Sequence, residues 1–309
     1  MGFRGIKVME QKLAKPQWLK IKISINDEFS NIKNTLKNYN LNTVCEEAHC
    51  PNISECWSGG TATFMLMGDT CTRGCKFCAV KTGNPMKKLD AEEPKKLAHA
   101  LAEIKLLDYV VLTSVNRDDL SDGGASHFAD CVKEIKKAYP EIIVEVLIPD
   151  FNGNVEALRK IINAKPEVIA HNIETVERLQ KKIRDARANY RQSLDVLENV
   201  KKLNPRIYTK SSIMLGLGEV DEEVLQSMKN LRGINVDIIT FGQYLRPTDW
   251  HIPISSFVAP EKFEYFKNKA LELGFLFCAS GPFVRSSYKA GELFVRNVLM
   301  NKNSFQKTL

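Results

Sequence analysis

The chain has 309 residues, of which 44% are hydrophobic and 26% are charged, and its net charge is +7. This composition is typical of a folded globular protein, and the dispersed positive charge without a basic arm argues against nucleic-acid binding. The sequence has no apolar run of membrane-spanning length, and its N-terminus does not resemble a cleavable signal peptide. We therefore expect a cytoplasmic protein that does not enter a membrane.

Short apolar runs alternate with amphipathic helices from about residue 60 onward. The predicted strands are ATFMLMG (62–68), YVVLTS (109–114), IIVEVLI (142–148), VIAHNIE (168–174), IYTKSSIML (207–215), VDIITFGQY (236–244) and LFCAS (276–280). Between them, apolar residues recur at helical spacing, as Leu97, Leu101 and Ile104 do. Six consecutive β–α units predict an α/β fold with a parallel sheet, namely a partial TIM-type (β/α)6 barrel.

We divide the chain into an N-terminal extension (1–60), the barrel (61–280) and a C-terminal extension (281–309). In barrels of this kind the chemistry lies at the carboxyl ends of the strands. Polar residues follow those ends here, and as a set they indicate a binding face. Any one of them, taken alone, is explained equally well by the start of a loop. They are Thr113, Ser114, Asn116, Asn172, Glu174, Lys210, Ser211, Gln243, Tyr244 and Arg246.

The most specific motif is GDTCTRGCKFC (68–78), which places Cys71, Cys75 and Cys78 in a C-x3-C-x2-C loop after the first predicted strand. Three closely spaced thiolates can hold three irons of a [4Fe–4S] cluster and leave the fourth iron open to a small molecule. Structural zinc prefers four ligands, and this trio has no obvious fourth. Zinc or unligated thiols remain the alternatives.

A second trio, Cys45, Cys50 and Cys56, has the spacing C-x4-C-x5-C within CEEAHCPNISEC (45–56). We favour a second iron–sulfur cluster over a zinc knuckle completed by His49, because adjacent His49 and Cys50 would reach one ion only with difficulty. A fourth ligand must come from elsewhere. The two other cysteines lie on an apolar helix face and in an apolar strand, where a structural role is expected: Cys131 and Cys278.

The C-x3-C-x2-C loop is the signature of the radical S-adenosylmethionine superfamily. Together with the second trio, the segments TSVNRDDLSDGGA (113–125), HNIETV (171–176), FGQYLRPT (241–248) and VRSSYKAGE (284–292) closely resemble the lipoyl synthase family. The resemblance extends from about Pro16 to Glu292 and therefore covers nearly the whole chain.

This resemblance implies a role for each trio. Cys71, Cys75 and Cys78 would hold the [4Fe–4S] cluster that cleaves S-adenosylmethionine to a 5′-deoxyadenosyl radical. The second trio and Ser287 would hold an auxiliary [4Fe–4S] cluster that is consumed as the sulfur donor. Two sulfur atoms would enter at C6 and C8 of a protein-bound octanoyl-lysine. A serine oxygen is a poorer partner for this iron than a thiolate, which suits a cluster that must surrender sulfide.

The implied partners are an octanoylated lipoyl carrier domain, either a dehydrogenase E2 subunit or the glycine cleavage H protein, and an electron donor such as ferredoxin or flavodoxin. Asn172 and Glu174 would alternate on one strand and point the same way. The expected contacts to S-adenosylmethionine are Thr113, Asn116, Asn172, Glu174, Ser211, Gln243, Arg246 and Arg285. The competing interpretations are another two-cluster radical enzyme, such as a methylthiotransferase, and a redox or zinc-binding interaction protein.

Overall fold

A computed structural model describes residues 14–20, 25–59, 62–86, 88–105 and 109–287. Within them the chain forms ten strands: β1 (Asn42–Thr43), β2 (Thr63–Leu66), β3 (Thr70–Cys71), β4 (Lys81–Thr82), β5 (Tyr109–Ser114), β6 (Ile143–Leu147), β7 (Val168–Ala170), β8 (Tyr208–Leu215), β9 (Ile238–Gln243) and β10 (Phe277–Ser280). Eight of these described strands form one sheet in the order β1-β2-β5-β6-β7-β8-β9-β10. Neighbouring strands of this sheet are parallel except for β1 and β2, which are antiparallel.

The parallel strands are joined by helices, as the predicted β–α units require. The helices are α1 (Asp27–Tyr39), α2 (Val44–Glu47), α3 (Ile53–Ser58), α4 (Glu93–Ile104), α5 (Ala125–Ala138), α6 (Val155–Asn163), α7 (Gln180–Ile183), α8 (Tyr190–Leu203), α9 (Asp221–Gly233) and α10 (Pro260–Glu272). Three 3-10 helices cover Gln17–Leu19, Phe151–Gly153 and Glu177–Leu179. No helix in the described ranges is both long and apolar enough to span a bilayer.

The predicted partial barrel is confirmed: across the described residues, β1 and β10 form the two edges of the sheet, which does not close. Each of the six predicted helices is present, and each predicted strand has a counterpart. The strand predicted over 168–174 is shorter than expected, because β7 ends at Ala170 and the chain then bends into the rim. The boundaries of the two terminal extensions stay predictions.

The base of the barrel, at the amino ends of the strands, is filled and closed. Apolar residues from neighbouring strands pack there, among them Val111, Ile143, Val168 and Ile238. Above them the ammonium of Lys210 donates to the Glu145 carboxylate at 2.7 Å, and the Tyr109 hydroxyl donates to the same carboxylate. Lys210 and Glu145 are each 1% exposed, so this ion pair is sealed from water.

Lys210 was expected at the carboxyl rim, and that expectation is wrong. The strand continues five residues beyond it to Leu215, so Lys210 lies in the lower half of the barrel, level with Ala170 and Ile238. Strand alternation then directs Lys210 and Ser212 to the inside and Ser211 to the outside of the barrel.

Candidate active site at the carboxyl ends of the strands

A cavity of about 510 Å³ opens at the carboxyl ends of the parallel strands. Both cysteine groups contribute to its wall, and so does the segment that follows β10. These cysteine and serine residues are Cys45, Cys50, Cys71, Cys75, Cys78, Ser286 and Ser287. Cys56 is not part of the wall; it lies in α3 and packs against the apolar core. Two cysteine groups separated in sequence are therefore brought to one cavity.

The loop carrying the first trio begins with an abrupt turn. Met67 and Gly68 follow β2 with φ of +69° and +94°, in the left-handed region. The Met67 amide donates to both carboxylate oxygens of Glu93, at 3.1 and 3.2 Å, and His127 contacts the same carboxylate. Gly124 has a left-handed φ of +85°, which favours glycine, and a Cβ there would push aside the Met67 side chain, whose sulfur would lie 2.2 Å away. These contacts direct the chain from the strand into the cysteine loop.

A buried arginine clamps the middle of the loop. Arg73 donates from Nη1 to Asp150 at 2.7 Å and through a two-bond fork to Asp118 at 2.8 and 3.0 Å. It also donates to the Asn152 side-chain oxygen at 2.7 Å. Burial would raise the pKa of Asp118, but hydrogen bonds from Arg73 and Thr72 outweigh it and hold that pKa at about 2. The clamp therefore ties the cysteine loop to the ends of β5 and β6.

Two further loops hold the same segment. The Gly74 amide donates to the Asp185 carboxylate at 2.8 Å, which attaches it to the loop after α7. On the other side, the His251 ring lies 2.9 Å from the Cys78 carbonyl oxygen through Nε2. The loop is thus fixed by contacts from several rim segments before any cofactor binds.

Backbone amides point at two of the cysteine sulfurs. Asn116 N and Arg73 N lie 3.3 and 3.4 Å from the Cys71 sulfur, and Asp185 N lies 3.3 Å from the Cys75 sulfur. Donors aimed at sulfur stabilise the thiolate and tune the potential of a bound iron–sulfur cluster. This geometry suits ligating thiolates.

Burial has the opposite effect on these thiols. It raises the pKa of Cys45 and Cys75 to about 11 and that of Cys78 to about 12. In the metal-free chain these thiols are protonated at neutral pH, so a metal must displace protons when it binds.

The spacing of the sulfurs distinguishes a cluster from a single ion. Sulfurs about 2.3 Å from one zinc ion would lie about 3.8 Å from one another. Among the described residues, the only group with three ligand atoms within 4.8 Å of each other is Glu93, His127 and Cys131. In neither cysteine trio do all three sulfurs lie within that distance of one another, so neither is arranged around a single zinc ion. Cys131 and Cys278 are buried and lie away from the cavity wall, as expected.

Residues 281–287, which we call the C-terminal strap, follow β10, and the last four of them border the cavity. Arg285 donates to the carbonyls of Val284 and Pro282, at 2.8 and 3.4 Å. Burial lowers the pKa of Arg285. Arg285 borders the same cavity as Cys45 and Cys50 of the second trio. Ser287 borders the cavity, whereas the tyrosine after it is outside the described residues.

Seven of the eight side chains predicted to contact S-adenosylmethionine border the cavity, and Ser211 does not. The seven are Thr113, Asn116, Asn172, Glu174, Gln243, Arg246 and Arg285. Ser211 points out of the barrel and accepts a hydrogen bond from Ile173 N at 3.2 Å, so its predicted contact stays a prediction that this arrangement does not favour. By the same strand alternation, the Gln243 side chain points out of the barrel. Its amide nitrogen donates to Ser256 O, and its amide oxygen accepts from Val258 N. This pattern favours a structural role for Gln243.

Asn172 and Glu174 lie side by side, although not for the reason expected. They follow the end of β7, and Glu174 has a left-handed φ of +65°. The Asn172 amide donates to the Glu174 carboxylate at 3.2 Å, and burial raises the pKa of Glu174. The Asn172 side-chain oxygen and the Ser114 hydroxyl are buried with no hydrogen-bond partner in the described part of the chain. Both residues border the cavity, so these unsatisfied atoms are available to a bound polar molecule.

Sequence reasoning missed the residues that hold the cysteine loop. They are Glu93, Asp118, Asp150, Asp185, His251 and the clamp itself, Arg73. Asp118 and Asp150 follow β5 and β6, so the strand-end rule that selected Asn116 could also have selected them. No sequence signal relates the loop after α7, 110 residues away, to Cys75.

The fold and the cysteine loop together define the class of protein. The model of the Radical SAM superfamily matches residues 65–231. The FeFe-hydrogenase maturase HydG from Carboxydothermus hydrogenoformans has a similar fold, with a TM-score of 0.52 and 12% identity over 88% of this chain and 78% of that one. Streptococcus suis SuiB bound to its precursor peptide SuiA gives a TM-score of 0.54 at 10% identity, over 87% of this chain and 57% of that one. At these identities the likeness shows the fold alone.

Sequence comparison identifies the family within this class. The model for the N-terminal domain of lipoyl synthase matches residues 5–50. The apicoplast lipoyl synthase of Plasmodium falciparum is 54% identical over 98% of this chain and 72% of its own length. The mitochondrial lipoyl synthase of Culex quinquefasciatus is 55% identical over 95% of this chain and 78% of its own length. The chain therefore belongs to the lipoyl synthase family of radical SAM enzymes. The predicted family, enzyme class and cofactors are confirmed, whereas the individual ligands stay predictions.

Proposed function

We propose that this chain inserts two sulfur atoms at C6 and C8 of an octanoyl group carried on a lysine of a lipoyl carrier protein. One observation carries the proposal: Cys45 and Cys50 border the same cavity as the complete first trio, together with Ser287. A radical made at one group can then act on carbon held beside the other. An enzyme that only cleaved S-adenosylmethionine would need no second group of thiols in that cavity.

In this proposal Cys71, Cys75 and Cys78 hold the cluster that reduces S-adenosylmethionine, and Cys45, Cys50, Cys56 and Ser287 hold the cluster that supplies sulfur. Asn172 and Glu174 offer an amide oxygen and a carboxylate to the polar groups of S-adenosylmethionine. Their burial supports this role, because a ligand would satisfy the amide oxygen left without a partner.

The remaining cavity wall suits an acyl chain. Apolar residues from the N-terminal extension, the cysteine loop and the rim border it, among them Val44, Phe77, Val80 and Leu245. An apolar wall excludes water and stray hydrogen donors, which would otherwise quench a carbon radical. Fixed walls also hold the reacting carbon near sulfur, which supplies much of the rate enhancement in such a reaction.

The proposed macromolecular partner is an octanoylated carrier domain, of either the dehydrogenase E2 or the glycine cleavage H type. The electron donor is proposed to be a ferredoxin or flavodoxin. The net charge of +7 supports an acidic carrier surface. The cytoplasmic location stays a prediction, since the relatives named above are mitochondrial and apicoplast proteins. Cell fractionation with an antibody to this chain tests it.

An anaerobic assay with reductant, S-adenosylmethionine and an octanoylated carrier domain tests the function. Mass spectrometry of the carrier should show two added sulfurs. Cys45→Ala should preserve cleavage of S-adenosylmethionine and abolish sulfur insertion, whereas Cys71→Ala should abolish both. Cys278→Ala, which removes a buried thiol away from the cavity, is the matched control and should retain both reactions. Normal sulfur insertion by Cys45→Ala would refute the proposal.

Iron analysis separates the alternatives. Two [4Fe–4S] clusters predict about eight irons per chain and a brown protein, whereas a zinc-binding interaction protein would be colourless. Transfer of a methylthio group in place of two sulfurs would identify a methylthiotransferase.

A further inference from the structure

The C-terminal strap is packed tightly across the end of β9. Gly281 N donates to Phe241 O at 3.1 Å, and Gln243 N donates to Pro282 O at 3.3 Å. A Cβ on Gly242 would lie 2.0 Å from the Val284 carbonyl oxygen, so the backbone of the strap occupies the space that a larger residue would need. The path of the strap up to Val284 is therefore set on one side by β9.

The Asn52 side chain, from the N-terminal part of the chain, reaches the strap. The Asn52 amide donates to Phe283 O at 2.6 Å, across 231 residues of sequence. Asn52 is 3% exposed and precedes α3, where its own carbonyl accepts from Cys56 N at 2.8 Å. Asn52 therefore touches the strap through its side chain and supports the Cys56 helix through its backbone.

The location of this bond matters because the sheet is open. The β1–β2 pair forms one edge and β10 the other, and within the described ranges no strand pairing joins them. Asn52 follows β1 and α2 at the first edge of the sheet, and Phe283 follows β10 at the other edge. Asn52 lies two residues after Cys50, and Phe283 lies four residues before Ser287. The bond thus joins the two chain segments that carry the proposed ligands of the sulfur-donating cluster.

We propose that Asn52 is a positioning residue that holds the C-terminal strap, and with it Ser287, against the loop of Cys50 and Cys56. The proposal rests on the function proposed above. A buried amide that loses its acceptor, or a carbonyl that loses its donor, carries the full cost of desolvation. The strap consequently stays on the cysteine loop while Asn52 is intact, and the two halves of the second site keep their spacing.

The test compares Asn52→Leu with Asn26→Leu. Leucine keeps the approximate shape of asparagine and removes the donor. Asn26 is the control, because its amide donates to a different backbone carbonyl of the N-terminal extension, Ser58 O at 3.0 Å. Its side-chain oxygen also accepts from Phe29 N at 3.1 Å, so Asn26→Leu removes the cap of α1 as well and is the more demanding control for effects on folding. Hydrogen exchange of residues 281–287 is measured in the metal-free and the reconstituted chain, beside S-adenosylmethionine cleavage and sulfur insertion.

We expect amide exchange in the strap to rise about tenfold in Asn52→Leu, in both forms of the chain, as the loss of one buried hydrogen bond implies. Sulfur insertion should fall by a similar factor, whereas S-adenosylmethionine cleavage should stay within about twofold of wild type. Asn26→Leu should leave strap exchange unchanged. Asn52→Gln, which keeps the amide on a longer arm, should restore part of the protection and keeps the test available if the leucine variant does not fold.

Unchanged strap exchange in Asn52→Leu overturns the inference, and so does a parallel loss of cleavage and insertion, which would indicate a general effect on folding. Failure of the proposed function looks different. In that case wild type and Asn26→Leu would also produce no doubly sulfurated carrier, while the exchange data would still report whether Asn52 holds the strap.

Discussion

Replacing Arg73 with methionine is expected to loosen the first cysteine loop and to destabilise the fold. The arginine side chain is 4% exposed and donates to Asp118, Asp150 and Asn152. Methionine fills a similar volume but leaves Asp150, whose side chain is 1% exposed, without its cation. Asp118 keeps hydrogen bonds from Thr72 and Asn152, so most of the cost falls on Asp150.

Breaking one side of a buried ion pair costs about 3–5 kcal/mol, because the remaining charge has been removed from water without compensation. We expect Arg73→Met to lower the free energy of unfolding by that amount. Arg73→Lys keeps the charge but cannot reach the separate acceptors with a planar fork, and we expect a loss of about 1–3 kcal/mol. Arg73→Met with Asp150→Leu should recover at least about 1 kcal/mol relative to the single variant, since no orphaned carboxylate remains.

Urea unfolding under reducing, anaerobic conditions measures these differences, and iron content after reconstitution reports on the loop. The matched control is Arg159→Met, because Arg159 forms an exposed ion pair with Glu156 at 3.1 Å. Such pairs contribute about 0–1 kcal/mol. If Arg73→Met is no less stable than Arg159→Met and takes up iron normally, the clamp does not hold the loop.

Three further predictions follow from buried groups elsewhere in the barrel. Burial lowers the pKa of His171 to about 4 from 6.5, so the unfolded chain binds a proton first as pH falls below 6.5. Lowering the pH from 7.5 to 5.5 should therefore reduce the free energy of unfolding, measured with urea, by about 1.4 kcal/mol. A His171→Gln variant whose stability depends on pH as that of the wild type does would contradict this prediction. Lys210→Met should lower the free energy of unfolding by about 3–5 kcal/mol, because Glu145 loses its cation and keeps the hydrogen bond from Tyr109. The double variant with Glu145→Leu should recover part of that loss, and additive losses would refute the pairing. Gly242→Ala should displace Val284 and raise amide hydrogen exchange in the C-terminal strap, because a Cβ on residue 242 would lie 2.0 Å from the Val284 carbonyl oxygen. Unchanged exchange would show that the Cβ is accommodated by a movement elsewhere in the strap.

The fold was predictable because its signals are local. Strands β5 and β6 consist mainly of apolar residues, and the helices between the strands carry one apolar face, so period and length identify both. The two cysteine groups were visible in the sequence for the same reason, since each lies within a short stretch of the chain. The proposed fourth ligand, Ser287, is remote from them and was suggested only by the family resemblance.

The errors arose where distance along a strand decides position. Lys210 and Ser211 were assigned to the rim as polar residues of the strand predicted over 207–215, but β8 extends to Leu215 as predicted and places both below the rim. The early end of β7 at Ala170 was equally hidden, because the residues after it remain buried. The clamp could not be derived from spacing, since Arg73 meets its partners 45 and 77 residues further along the chain.

The sealed base of the barrel restricts how molecules reach the cavity. Lys210, Glu145 and the apolar layer below them obstruct passage through the lower end. Across the described residues, the sheet leaves its two edges, β1 and β10, unpaired. The acyl arm and the small cosubstrate are therefore expected to approach from the carboxyl ends of the strands or between these two edges, and never from below.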